Sequence, residues 1–255
     1  MLFDSHAHLD AKQFDHDRDL VIKRARLNEV SYIMNPGADF ESSVEAVALA
    51  EKYDFIYAAV GVHPHDVETM DDNMLALLKA MAQKEKVKAI GEIGLDYYRD
   101  LSPRPLQKKW FIAQLRLAKS LDMPVIIHDR DANDDVLRIL KEEQAFETGV
   151  LMHCFSGSKE LARQYVALGA YISIAGPLTF KNARKTIEVV ESVPLERLMI
   201  ETDSPYLTPE PFRGKRNESM YVKHVCQKIA DIKGIAYEKC AEITLNNAKA
   251  YFKIK

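Results

Sequence analysis

The 255-residue chain reads as a single-domain α/β protein whose best-fitting architecture is a closed (β/α)8 barrel. Three observations predict it. Short apolar, β-branched runs alternate with longer stretches of helical period, eight such runs are present, and no linker, tandem repeat or low-complexity block divides residues 1–255. Buried strands in sequence order joined by helices pair in parallel through right-handed crossovers. Eight of them favour closure over an open doubly wound sheet, the alternative fold.

The strands are expected at LFDSH (2–6), SYIMN (31–35), FIYAAVG (55–61), VKAIGEIG (87–94), MPVIIH (123–128), GVLMHCF (149–155), AYISIAG (170–176) and RLMIETD (197–203). Helix-like stretches lie between them, among them 41–53, 72–84, 105–121, 133–143, 158–168 and 181–192. Their apolar residues recur at helical steps, as in Trp110, Leu117 and Leu121.

Composition narrows the function classes. With 47% hydrophobic and 29% charged residues, disorder and collagen are excluded. A net charge of -3 gives no global basic field, so any nucleic acid must be gripped locally. Cys154, Cys226 and Cys240 are odd in number and lack CxxC spacing, which argues against a disulfide framework or thiolate zinc knuckle and fits a reducing cytosol. The opening apolar run is too short and too soon charged for a signal peptide or membrane span. A cytoplasmic protein without a membrane partner is expected, its oligomeric state left open.

Of eight histidines, His6, His8, His63, His128 and His153 fall at or just after the carboxyl ends of expected strands 1, 1, 3, 5 and 6. Glu92 and Asp203 fall at the ends of strands 4 and 8. In a parallel barrel those ends surround one mouth, so these distant residues would converge. His6 and His8, two apart on a strand, point to one face and can clasp one ion. One histidine at a strand end is ordinarily structural; five at one rim point to metal, whereas His16, His65 and His224 lie elsewhere, as structural histidines do. Glu92, in an apolar strand beside Gly91, would be costly to bury without a cation. Asp203 taken alone could equally cap the turn at Ser204-Pro205.

The motifs DSHAHLD (4–10), GVHPHD (61–66), IGEIGLDYYR (90–99), IIHDRDA (126–132), HCFSGS (153–158), ETDSPYL (201–207) and RGKRNES (213–219) resemble, in order and spacing, the TatD family of metal-dependent hydrolases, itself similar to the wider amidohydrolase superfamily. The resemblance implies a TIM-type barrel with one or two divalent ions and a deoxyribonuclease activity. It further implies that His6, His8 and Asp203 hold one ion and His128 and His153 the second, with Glu92 bridging. One departure is Ser219, where the family commonly has proline after Arg216-Asn217-Glu218.

A two-ion site suits in-line cleavage of a phosphodiester by a metal-activated water. The resemblance makes Asp203 the acceptor of the water's proton; Glu201, two residues back, is a supporting residue or leaving-group acid, with a structural salt bridge the alternative. Imidazole and carboxylate ligands suit Mg, Mn or Zn without choosing among them. DNA, single-stranded or at an end, is the expected substrate, cut in an exonuclease-like way. For gripping it, Arg130, Tyr97, His63 and Arg216, with neighbouring Arg99, Arg213 and Lys215, are the candidates. Arg216 has a second reading, pairing with Glu201, Glu210 or Glu218 to brace its loop. Two other classes stay open: an amidohydrolase-type hydrolase of a small ester, amide or phosphotriester, and a non-catalytic barrel whose metals are structural.

Overall fold

The computed structural model describes residues 1–255. Strands β1 (Leu2–Asp4), β2 (Val30–Pro36), β3 (Ile56–Val60), β4 (Val87–Asp96), β5 (Val125–Arg130), β6 (Val150–Met152), β7 (Tyr171–Ile174) and β8 (Leu198–Ile200) form one sheet whose neighbours follow chain order. A helix lies in every connection: α1 (Arg18–Leu27), α2 (Phe40–Lys52), α3 (Asp72–Ala82), α4 (Arg104–Ser120), α5 (Asn133–Glu142), α6 (Lys159–Ala167) and α7 (Arg184–Ser192). After β8 come α8 (Val222–Lys233) and α9 (Tyr237–Tyr251). No helix is long and apolar enough to cross a membrane.

The chain forms two compact units, each discontinuous in sequence. The first comprises Met1–Asn35, Cys154–Ala167 and Tyr171–Lys255. In it β1 pairs in parallel with β2, Asp4 opposite Ile33, and β7 with β8, Ile174 opposite Ile200. Beyond the strand ends β1 is tied to β8: Ser5 N donates to Ile200 O at 3.0 Å, Asp203 N to His6 O at 2.9 Å and His8 N to Ser204 O at 2.8 Å. The first and last strands of the sheet therefore meet, which closes it as the expected (β/α)8 barrel. Helices α8 and α9 pack on each other and on β1 and β8. They bury Val225, Cys226 and Ile229 from one and Cys240, Ala241 and Thr244 from the other.

The second unit, Pro36–His153 with Leu168–Ala170, holds β3 to β6 in parallel array. These strands are apolar runs because both faces are covered; Ile56, Ala59, Ile90, Ile93, Ile126, Ile127 and Leu151 are all inaccessible. Helix α2 starts at a reciprocal cap in which the Asp39 side chain accepts from Ser42 N while Ser42 Oγ accepts from Asp39 N. Gly94 is needed where β4 meets β5, because its φ is +150° and a Cβ there would run into the carbonyl of His128.

Helix α4 is registered to the ends of β3 and β4 by two buried amides. Gln107 accepts from Asp96 N at 2.9 Å and donates to Asp96 O at 3.2 Å; Gln114 accepts from Val62 N at 2.7 Å and donates to Val62 O at 3.1 Å. Each bond is worth about 1 kcal/mol net, and more if broken, because its partner is buried.

All eight expected strands are present, but β1, β6, β7 and β8 stop two to three residues short of their expected carboxyl ends. There the ladder gives way to single bridges and turns, such as the isolated bridge of Ala7 with Ser204. Helices α1, α8 and α9 lie outside the six stretches singled out from the sequence.

Candidate metal centre

The first unit carries one donor cluster. His6 and His8 straddle the bridged Ala7, and their alternation brings both rings to one side, Nε2 to Nε2 at 3.1 Å. Oδ1 of Asp203 lies 3.9 Å from Nε2 of His6 and 3.6 Å from that of His8. Asp203 reaches them by leaving the strand in the left-handed region, φ 55°, which aspartate tolerates better than most residues. His6 is fully buried and His8 and Asp203 are partly exposed, and two imidazole nitrogens and a carboxylate oxygen converge on one point. That donor set fits a borderline divalent ion.

Two buried acids lie behind it. Asp4 accepts from Thr202 N at 2.8 Å and Thr202 Oγ1 at 2.6 Å, joining the ends of β1 and β8; burial pushes its carboxyl up to about 7 despite those bonds. Glu201 accepts from Cys154 N at 2.8 Å and has an oxygen within 4.8 Å of a ring nitrogen of His6. Glu201 is therefore a neighbour of the histidine, held by the Cys154 backbone. Cys154, which the sequence had suggested only as a free thiol, has its sulfur within 4.8 Å of an Asp203 oxygen.

The second unit carries the other cluster. Three imidazoles surround Oε1 of Glu92: His128 Nδ1 at 2.8 Å, His63 Nε2 at 3.6 Å and His153 Nε2 at 3.6 Å. Glu92 is nearly inaccessible and its N–H is anchored on Gly37 O at 2.8 Å. Three nitrogens around one buried carboxylate oxygen is again an arrangement that accepts a cation.

Asp96, fully buried, fixes the rings. Its Oδ2 accepts from His128 Nε2 at 3.1 Å and His65 Nε2 at 2.8 Å; its Oδ1 accepts from Tyr98 N at 3.0 Å and Arg99 N at 2.7 Å. Burial works against its charge, but the bonds from His128, Arg99 N and His65 outweigh it and hold the carboxyl well below its ordinary range. With Nε2 of His128 given to Asp96, Nδ1 is the nitrogen turned to Glu92, bonded to it at 2.8 Å. Burial opposes a charge on His128 as well, yet its bonds to Asp96 and Glu92 push it up to about 9, so an arriving ion must displace a proton. His63 is the opposite case: burial, reinforced by His128, holds it well below its usual value. Its Nδ1 accepts from His65 N at 3.2 Å, so in the neutral ring the proton sits on Nε2.

The candidates for gripping substrate divide. Tyr97 is clamped, its hydroxyl donating to Asp135 at 2.7 Å and its ring lying 4.3 Å from the Arg104 guanidinium. Its exposed neighbour is Tyr98, with Arg130 stacked 4.1 Å above the ring. His65, set aside in the sequence as remote, is part of the second cluster through Asp96.

Arg216 is committed within the first unit. It donates to both oxygens of Asp17 at 2.8 and 2.7 Å, to Gln13 O at 2.7 Å and to Glu218 at 3.2 Å, while Arg24 takes both oxygens of Glu218 at 2.8 Å. This supports the bracing alternative, with Asp17 as the principal partner. The bonds from Arg216, joined by those from Arg24, hold Asp17 down at about 2. A folded value below the ordinary 3.8 contributes stability above pH 4 that is lost as pH falls through 2. Arg216→Ala is therefore expected to lower the melting temperature by about 2–4 °C near neutral pH. Melting curves should converge with those of the parent between pH 4 and 2, and the salt dependence of KM on oligonucleotides should not change. A flattened salt slope at unchanged stability would return Arg216 to the substrate side.

Comparison with known proteins follows the same lines. The family described as TatD related DNase matches residues 3–253. The chain is 52% identical over 254 residues to the uncharacterized metal-dependent hydrolase YabD of Bacillus subtilis (strain 168), covering 100% of each chain. It is 38% identical over 240 residues to the 3'-5' ssDNA/RNA exonuclease TatD of Cronobacter sakazakii, covering 91% of this chain and 90% of that one. The crystal structure of the TatD homologue YjjV from Escherichia coli K12 superposes with a TM-score of 0.94 at 34% identity, covering 100% of this chain and 98% of the other. With the barrel closed and imidazoles and carboxylates gathered at its strand ends, the chain belongs to the TatD family of metal-dependent hydrolases.

Proposed function

We propose that the protein is a metal-dependent exonuclease that removes nucleotides from an end of single-stranded DNA. The observation that carries this reading is Asp203 set against the paired nitrogens of His6 and His8, a carboxylate positioned both to ligate and to take a proton. Support comes from relatives 36–38% identical that are named 3'-5' ssDNA/RNA exonucleases.

In this reading His6, His8 and Asp203 would hold one ion, and Glu92, His128 and His153 would hold a second. When bound, the divalent ions, Mg, Mn or Zn, supply Lewis-acid charge for an in-line displacement at phosphorus. Asp203 accepts the proton of the attacking water. His63, neutral and protonated on Nε2, donates a hydrogen bond to a phosphoryl oxygen. Glu201 supports His6, and Arg130, exposed on its Tyr98 ring, meets a phosphate of the strand. The three cysteines, free thiols, support a cytoplasmic setting.

The test is turnover with Mg, Mn and Zn in parallel on 5'-labelled single-stranded DNA, duplex DNA, RNA and a panel of small esters, lactones and phosphotriesters. Progressive shortening of single-stranded DNA that stops on chelation is the expected result. Hydrolysis confined to a small ester or phosphotriester, with every nucleic acid left intact, would replace this reading with the small-molecule one.

A further inference from the structure

Beside the first donor cluster stands an aromatic ring that the chemistry above does not use. Tyr206 is 52% exposed, yet its ring lies 6.5 Å from that of His8, inclined at 65°. Large exposed aromatics on mobile loops carry little meaning, but the backbone here is pinned. Tyr206 N donates to Asp203 O at 2.9 Å, Tyr206 O accepts from Asn217 Nδ2 at 2.5 Å, and Asn217 N donates to Pro205 O at 3.0 Å. Asn217 is itself fully buried and also donates to Thr202 O at 2.8 Å. The neighbouring Arg216 fastens this loop to Asp17 and Gln13 O, and Gln13 Nε2 reaches the Tyr206 hydroxyl at 3.5 Å. Within RGKRNES, Arg216 and Asn217 thus pin the backbone that carries Tyr206.

A ring held this way has two remaining torsions to order, so stacking on it costs little entropy. Its edge-on contact with His8 puts it a nucleotide's reach from the atoms Asp203 and the histidines address. We propose that Tyr206 is a stacking platform for the base of the nucleotide adjoining the scissile phosphodiester. The subsite is specific for a single-stranded end and tolerant of base identity, since every base offers a π-face. This inference rests on the exonuclease reading of the same site.

The test is a double-mutant cycle on metal-loaded enzyme, with one partner in the protein and one in the substrate. Tyr206→Ala and Tyr206→Phe are compared on a labelled oligonucleotide and on the same strand with an abasic terminal residue. Tyr206→Ala should raise KM on the base-bearing strand by about 10-fold with kcat unchanged, and leave KM on the abasic strand as it was. Tyr206→Phe should match the parent on both. Elemental analysis should find the same metal content in all three, which separates stacking from an effect on His8. Equal losses on both strands, or no loss on either, would overturn the platform while leaving the exonuclease reading intact. A parent enzyme that cuts neither strand but turns over a small ester would remove both.

Discussion

Asp203→Asn lowers turnover on single-stranded DNA by about 10³-fold while KM stays within a few-fold of the parent value. The substitution is a clean one because asparagine, like aspartate, tolerates the left-handed backbone at position 203, and its amide oxygen can still face His6 and His8. What it cannot do is accept a proton. The ground state therefore keeps most of its contacts while the transition state loses its base, and the loss appears in kcat. Steady-state kinetics beside a melting curve check this. A variant within about 10-fold of parent turnover would show that the proton goes elsewhere.

Glu92→Gln should be the most damaging change for metal retention, weakening affinity by more than about 100-fold, because the proposed reading makes Glu92 a ligand and supporting groups alone are worth about 10–100-fold. The carboxylate oxygen has imidazole nitrogens at 2.8, 3.6 and 3.6 Å, and the amide removes the one negative charge they share. It also leaves a buried polar group whose N–H2 faces those nitrogens. The ion at Glu92 should be lost on dialysis, and elemental analysis reads this without any assay of activity. Retention of a full complement by the variant would take Glu92 out of the ligand set, and circular dichroism guards against simple unfolding.

The fold was legible because parallel strands buried on both faces read as apolar runs, and GEIGLD or PVIIH can hardly be anything else. Where each strand stops was less so. LFDSH continues in character to His6, but the ladder ends at Asp4, since a ladder is lost when its neighbour turns away and not when hydrophobicity ends. Helix α9 was missed because most of what it buries is small or polar, Cys240, Thr244 and Asn247 beside Leu245 and Tyr251, and leaves a faint period. In the site, histidines and carboxylates at strand ends announced themselves by type and place. His65 and Asp96 did not, because their pairing spans 31 residues and depends on a loop turning back. Arg216 looked like a phosphate ligand for a related reason: its partner Asp17 is 199 residues distant, and a cluster of cations carries no mark of what already neutralises it.

The two glutamines of α4 give that helix a role other than cover. Seven residues apart, hence two turns, Gln107 and Gln114 act as gauge pins: each grips both backbone polar groups of a single residue, Asp96 for one and Val62, the residue before His63, for the other. The height at which those two strand ends emerge is therefore set from the outer layer. Trp110, Phe111 and Leu115 on the same face can trade methyl groups with their neighbours at modest cost, whereas a hydrocarbon at either pin would strand a buried donor and acceptor together. Drift in this helix is thus free in its packing and fixed at two polar points, and a lesion far from any histidine can tilt the rings.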